Sequence, residues 1–106
     1  MATGRLGNFA ISATTNTTVY TAPIGTYAIA NVNIVNRNAT AITIRLAMAT
    51  TATPNAEEWI EWETTIIPNG VFERTGLVLQ GGLNLVVFSS ATNVGCTVYG
   101  IETSTT

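Results

Sequence analysis

Apolar and polar residues alternate along most of this chain. The clearest case runs from Tyr27 to Asn36, where every second residue from Ala28 onward is apolar up to Ile34. The segment from Ala41 to Ala49 repeats the pattern. A period of two places successive side chains on opposite faces of a β-strand. Because Asn36-Arg37-Asn38 suits a turn, the two segments predict an antiparallel hairpin with one buried and one solvated face.

Shorter alternating segments predict that the rest of the chain is also all-β, with turn residues about every 8–12 positions. The pattern indicates about eight short strands in one antiparallel two-sheet β-sandwich, jelly-roll-like or Ig-like, over residues 1–106. An N-terminal arm (1–8) and a C-terminal tail (103–106) are candidate extensions. One helical turn is expected near Thr53-Pro54-Asn55-Ala56. The further strands are predicted at 5–12, 17–21, 58–63, 71–75, 77–80, 84–89 and 94–102, and the core at Val32, Ile34, Ile44, Leu46, Val87 and Val98.

The surface implied by the composition is poor in charge. The 106 residues include four arginines and six glutamates but no lysine, aspartate or histidine, which makes 9% charged residues and a net charge of −2. An ordinary soluble domain has about 25% charged residues. Twenty threonines and ten asparagines must cover the surface instead. Low net charge favours association, so we expect a surface that copies or partners cover.

The same inventory argues against several functional classes. Four scattered arginines form no basic stripe for nucleic acid. The longest apolar runs, such as 85–88, are too short to span a membrane, and the N-terminus lacks a secretion segment, so we expect synthesis in a host cytoplasm. Without histidine or aspartate no Ser-His-Asp or Cys-His arrangement can form, and Cys96 alone supplies neither a disulfide nor a zinc site. We therefore expect no enzyme, no cofactor and no bound metal, with Cys96 in the core.

Glu57 to Glu63 is the densest candidate for a functional segment, because it contains four glutamates and two tryptophans. Paired carboxylates beside aromatics could hydrolyse a glycosidic bond. Trp59 or Trp62 could stack on a sugar ring, or anchor a protein interface, where Trp is a preferred residue. Strict alternation places Glu61 and Glu63 on one side and Trp62 on the other, which favours packing and edge protection over catalysis.

Five segments distributed along nearly the whole chain stand out together: 15–23, 31–37, 58–62, 72–77 and 98–102. In this order they resemble segments of small virion structural proteins of tailed phages, especially cyanophages. The resemblance implies a β-sandwich component of the head surface or the tail, and it carries over no catalytic residues.

Together these observations lead to one hypothesis and two alternatives. The hypothesis is a non-enzymatic virion structural protein, an accessory protein that decorates the particle exterior as a homo-oligomer in contact with other virion proteins. The alternatives are a tail, baseplate or fibre component, and a carbohydrate-binding adsorption module that uses Trp59 and Trp62. The interface is expected to include Arg5, Leu6, Trp59 and Trp62.

Overall fold

Eight β-strands arranged in two antiparallel four-stranded sheets make up the computed structural model, which describes residues 2–105. Sheet I has the order β1-β8-β3-β6, and sheet II has the order β2-β7-β4-β5. These sheets confirm the predicted all-β sandwich. The strands are β1 (Thr3–Ile11), β2 (Thr17–Thr21), β3 (Thr26–Asn36), β4 (Ile42–Ala49), β5 (Trp59–Ile66), β6 (Val71–Gln80), β7 (Asn84–Ser89) and β8 (Val94–Ser104), with a 3-10 turn at Ala56–Glu58.

Strand pairing in this fold is nested. β4 pairs with β5, β3 with β6, β2 with β7 and β1 with β8, as in one long hairpin centred on the connection between β4 and β5. The long hairpin folds over itself, and the pairings of β3 with β8 and of β4 with β7 then complete the two sheets.

The core lies between the two sheets and is built from the inward-facing residue of each alternating pair. Because alternation puts every second side chain on one face, the apolar set of each strand is removed from water. All six residues predicted for the core are fully buried, which confirms that prediction: Val32, Ile34, Ile44, Leu46, Val87 and Val98.

The predicted hairpin between β3 and β4 is wrong, because these strands lie in different sheets. β3 pairs with β6 and β8, whereas β4 pairs with β5 and β7. The apolar faces of β3 and β4 pack against each other across the core, and the two strands are not neighbours in one sheet. The buried Asn36 side chain holds this crossover, since its Nδ2 donates to the carbonyls of Thr40 (2.9 Å), Ile67 (3.0 Å) and Ile66 (3.2 Å).

Most of the residues considered for an arm and a tail belong to strands. Residues 3–8 lie in β1 and pair with β8, which continues to Ser104. The backbone N–H of Thr105 donates to the carbonyl of Gly25 at 3.0 Å. Met1 and Thr106, the outermost residues of the arm and the tail, lie outside the described residues.

β-bulges interrupt all four edge strands. The extra residue is Leu6 in β1 and Val19 in β2, and β5 carries two bulges. In β6 the bulge at Gly76 (φ 71°) joins the two predicted segments 71–75 and 77–80 into one strand. The central pairings run in unbroken register, for example from Thr26 opposite Ser104 to Asn36 opposite Val94. The irregularities are thus confined to the edges, where bulges twist a strand away from new partners.

Candidate functional site

Trp59 and Trp62 lie on the outer face of sheet II because of the bulges in β5. Arg45 of β4 stands opposite two residues of β5, Trp62 and Glu63, where a regular ladder would have one. Glu63 takes up the extra residue with a positive φ of 51°, a conformation uncommon for a residue other than glycine. Trp62 and Glu63 therefore both reach Arg45, and the expectation that they point in opposite directions is wrong.

Arg45 is held over the tryptophan by three contacts. Its guanidinium lies 4.0 Å from the centroid of the Trp62 ring and 4.4 Å from that of Phe88. Its Nη2 and Nε donate to Glu63 Oε1 (2.9 Å) and Oε2 (3.1 Å), a two-point contact that fixes the plane of the group. The Arg45 hydrogen bond also lowers the pKa of Glu63 below its usual range.

Trp59 lies between Trp62 and the outer side of sheet II. It packs on the fully buried Ala47, Ala49 and Val86, which form a small apolar cluster on the outer side of sheet II. The two indole rings meet edge to face, with centroids 5.4 Å apart and planes at 70°. Trp62 remains 57% exposed. The outer face of sheet II thus presents an exposed tryptophan that contacts both Arg45 and Trp59. We call Arg45, Trp59, Trp62 and Phe88 the aromatic site.

Three of the four glutamates of the 57–63 segment, Glu58, Glu61 and Glu63, are each engaged with different partners. Glu61 makes an ion pair with Arg74 of β6, which bridges the two sheets at their edge, and it accepts a hydrogen bond from Thr64. Glu58 accepts hydrogen bonds from the backbone N–H groups of Asn55 (2.8 Å) and Thr50 (3.1 Å), which close the 3-10 turn and lower its pKa. Glu61 and Glu63 serve different faces of β5, so they do not flank a common substrate position as a carboxylate pair would.

Arg5 and Leu6 are not close to the tryptophans in the fold, because they belong to β1 in sheet I. Arg5 is exposed opposite Tyr99, on the outer face of that sheet. Leu6 is the bulge residue and packs partly buried against the core. Arg5 thus lies on the outer face of sheet I, Trp59 and Trp62 lie on the outer face of sheet II, and Leu6 packs against the core. The role of these four residues in an interface stays a prediction.

A row of exposed apolar side chains crosses the outer face of sheet I, which sequence analysis missed. Ile29 of β3 lies directly between Val78 of β6 and Ile101 of β8, with Tyr27 two residues further along β3. Ile29, Val78 and Ile101 are 38%, 58% and 43% exposed. The sequence contained an indication of this row. Near one end of these strands, consecutive residues are apolar, so apolar side chains lie on both faces of the sheet. We call these four residues the apolar row.

Three further features bear on chemistry. Cys96 is buried, and burial raises the pKa of its thiol to about 12. Within residues 2–105, no three side chains of the Cys, Asp or Glu type cluster as metal ligands would. Over the same range, none of the helical structure is long and apolar enough to cross a bilayer.

Comparison with known proteins gives a distant structural likeness. No protein-family model matches the chain, and no curated protein matches it significantly. A solved structure described as the cyanophage Pam1 capsid asymmetric unit contains a chain with 15% sequence identity to this one. The match has a TM-score of 0.43 and covers 92% of this chain and 83% of that one. A likeness of this degree carries no argument about function.

Proposed function

We propose that this protein is a non-enzymatic structural component of a bacteriophage virion, an accessory protein that assembles on the particle exterior as a homo-oligomer. Trp62 is the observation that carries the proposal. It is a large, exposed aromatic side chain held rigid on a sheet face by Arg45 and Trp59. Tryptophan and arginine are the residues most often responsible for binding energy in protein interfaces.

The rigidity of the aromatic site favours a protein partner. Ordering a flexible side chain on binding costs about 0.5–1.5 kcal/mol, and Trp62 is already ordered by its contact with Arg45. The charge of Arg45 is matched locally by Glu63, so a partner that covers the site meets no unpaired charge. An apolar or polar protein surface of the particle fits such a site.

Topology and sequence add support. We assign the strand order, β1-β8-β3-β6 against β2-β7-β4-β5, to the eight-stranded jelly-roll class, which is used in viral capsid proteins and in lectins. Because one fold serves many functions, this class agrees with the proposal without deciding it. Of the five segments that resemble phage virion proteins, the one at 58–62 contains both tryptophans of the aromatic site.

Analysis of purified virions tests the proposal. Mass spectrometry should detect the chain in particles of the phage that encodes it, and electron cryo-microscopy should place it on the exterior. Trp62→Ala in the phage genome should weaken docking by about 2 kcal/mol or more and deplete the protein from particles. Ile24→Ala, which changes another exposed apolar residue far from the aromatic site in sequence, should leave occupancy unchanged. Absence of the protein from virions would refute the proposal, and location in the tail would favour a tail, baseplate or fibre component.

The aromatic site also favours a second candidate function, a carbohydrate-binding adsorption module. Trp59, Trp62 and Ala56 line a shallow apolar groove where a sugar ring could stack on an indole. Titration of the purified protein with host-surface polysaccharide, followed by tryptophan fluorescence, separates the two candidates. Saturable binding that Trp62→Ala abolishes would favour the adsorption module over the docking role.

A further inference from the structure

We propose that the outer face of sheet I pairs face to face with the same face of a second copy of this chain, with the apolar row inside the contact. The inference deepens the proposed function and rests on it, because it names the surface through which copies associate. It is independent of the aromatic site, which lies on the opposite side of the sandwich.

The apolar row continues across three neighbouring strands. Val78, Ile29 and Ile101 stand in direct register on β6, β3 and β8, and directly opposite side chains in a sheet lie about 5 Å apart. Tyr27 extends the row along β3. Exposed apolar residues are common on proteins when scattered, but a contiguous group on a flat face indicates a contact surface.

Several of the polar side chains on this face are already hydrogen-bonded within it. The Tyr99 hydroxyl donates to Glu73 Oε2 at 2.6 Å, over the intervening strand β3. Asn31 Oδ1 accepts from the backbone N–H of Gly76 at 3.0 Å, and Asn8 Nδ2 donates to the Thr97 hydroxyl at 3.0 Å. A buried polar group is costly chiefly when it lacks a partner. Covering the face therefore leaves these groups satisfied, whereas Gln80 and Thr103, which flank Tyr27, need hydrogen-bond partners across the contact.

The charge on this face suits a copy of itself. Its charged side chains are few: Arg5 of β1 and Glu73 of β6 lie on the face, and the exposed Arg37 lies at one end of it, beside Ala10 and Gly95. The face therefore has little net charge. Two copies of such a face can approach with little repulsion, whereas a strongly charged partner would find no complementary field.

The area is large enough for a specific dimer. Strands spaced about 4.8 Å apart, with a rise of about 3.3 Å per residue, give a four-stranded face of roughly 700 Å² when the strands are eleven residues long, as β3 and β8 are. Pairing two such faces covers roughly 1,400 Å² in total. Specific interfaces bury about 1,200–2,000 Å².

The edges offer no competing route for association. Copies could also join by adding strand to strand, because an edge strand presents unpaired N–H and C=O groups. However, β1, β2, β5 and β6 are each interrupted by a bulge, which breaks the ladder that a new strand would need. The central pairings of both sheets run in regular register, and sheets pack face to face at about 10 Å.

Sedimentation of the purified full chain tests the inference in the absence of virions. We expect a dimer at concentrations of tens of micromolar, and at least a tenfold weaker association after Ile29→Glu or Val78→Glu. Two variants are used because a glutamate in the central strand β3 could disturb the fold. The edge strand β6 tolerates a charged residue, so Val78→Glu tests the contact even if Ile29→Glu unfolds the chain. Ile24→Glu makes the same chemical change at an 83% exposed position outside the face and should leave the dimer intact. Circular dichroism melting of each variant confirms that it remains folded.

Several results would overturn the inference. They are a wild-type chain that stays monomeric at high concentration, a dimer unaffected by both glutamate variants, and an oligomer larger than a dimer. None of these affects the particle-docking test with Trp62→Ala, which depends on the other sheet. Conversely, loss of particle docking in a variant that still dimerises would leave the face-to-face contact standing.

Discussion

Replacement of Asn36 by alanine tests how the chain crosses from one sheet to the other. Asn36 is fully buried, and its amide nitrogen donates to three backbone carbonyls, those of Thr40, Ile66 and Ile67. Its Oδ1 accepts from the backbone N–H and the side-chain amide of Asn38, each at 3.0 Å. One side chain thus joins the end of β3, the loop that follows it and the end of β5.

The expected loss follows from the groups left without partners. A buried polar group that loses its hydrogen bond costs about 1–3 kcal/mol. Asn36→Ala leaves the carbonyls of Thr40, Ile66 and Ile67 and the N–H groups of Asn38 without their hydrogen bonds to Asn36. Water can hydrate the groups that are partly exposed. We therefore expect a loss of about 3–5 kcal/mol, a large share of the roughly 5–15 kcal/mol that keeps a domain folded. Near the melting temperature each 1 kcal/mol corresponds to about 4–8 °C in a domain of this size.

Urea unfolding followed by tryptophan fluorescence measures the difference, since both tryptophans lie on β5. The matched control is Asn33→Ala, which changes the same residue type in the same strand on the outer face and should cost less than about 0.5 kcal/mol. If Asn36→Ala cost less than 1 kcal/mol, or no more than Asn33→Ala, the role assigned to this crossover would be refuted.

Three further outcomes are expected. Cys96, whose pKa burial raises to about 12, should not react with iodoacetamide at pH 8 until guanidinium unfolds the chain; rapid labelling of the native protein would contradict its burial. The pKa of Glu63 is lowered by Arg45 and that of Glu102 by the Tyr20 hydroxyl, so both stabilise the fold above the ordinary pKa of 4.5 and lose that contribution as the pH falls through their lower folded values. The melting temperature should therefore drop below about pH 4.5, and less steeply in Glu63→Gln; equal slopes would contradict the Arg45 contact. Leu46→Ala should cost about 2–4 kcal/mol in urea unfolding, against less than about 0.5 kcal/mol for the exposed Ile24→Ala.

The alternation of residues was sufficient to predict the strands and the core, but not which strands pair. Ile34 and Ile44 could be assigned to buried faces because burial depends on local periodicity. The pairing of β3 with β6 and β8 depends instead on how two apolar faces meet across the core. A hairpin and a crossover between sheets bury the same residues, and Asn36 suits both a turn and a buried crossover. Only its hydrogen bonds to Ile66 and Ile67, far along the chain, distinguish the two.

The aromatic site was predicted in part. Trp59 and Trp62 could be selected because they lie in the dense 57–63 segment and tryptophan is a preferred residue in protein interfaces. Arg45 could not, because the bulge that brings it opposite both Trp62 and Glu63 leaves no mark in a strictly alternating pattern. The apolar row was missed because Ile29 and Ile101 lie on different strands and become neighbours only through the long-range pairing of β3 with β8.

The nested pairing of the strands has a consequence for how the chain reaches its folded state. Only β4 and β5 pair across a short connection, whereas β1 and β8 lie at opposite ends of the sequence. Closing a longer loop costs more entropy, and topologies with distant partners fold slowly, in milliseconds to seconds. Assembly is expected to begin around β4 and β5 and to proceed outward, so β1 and β8 join last. Until then the inner strands have open edges, and a newly made chain passes through a stage in which association with other chains competes with folding.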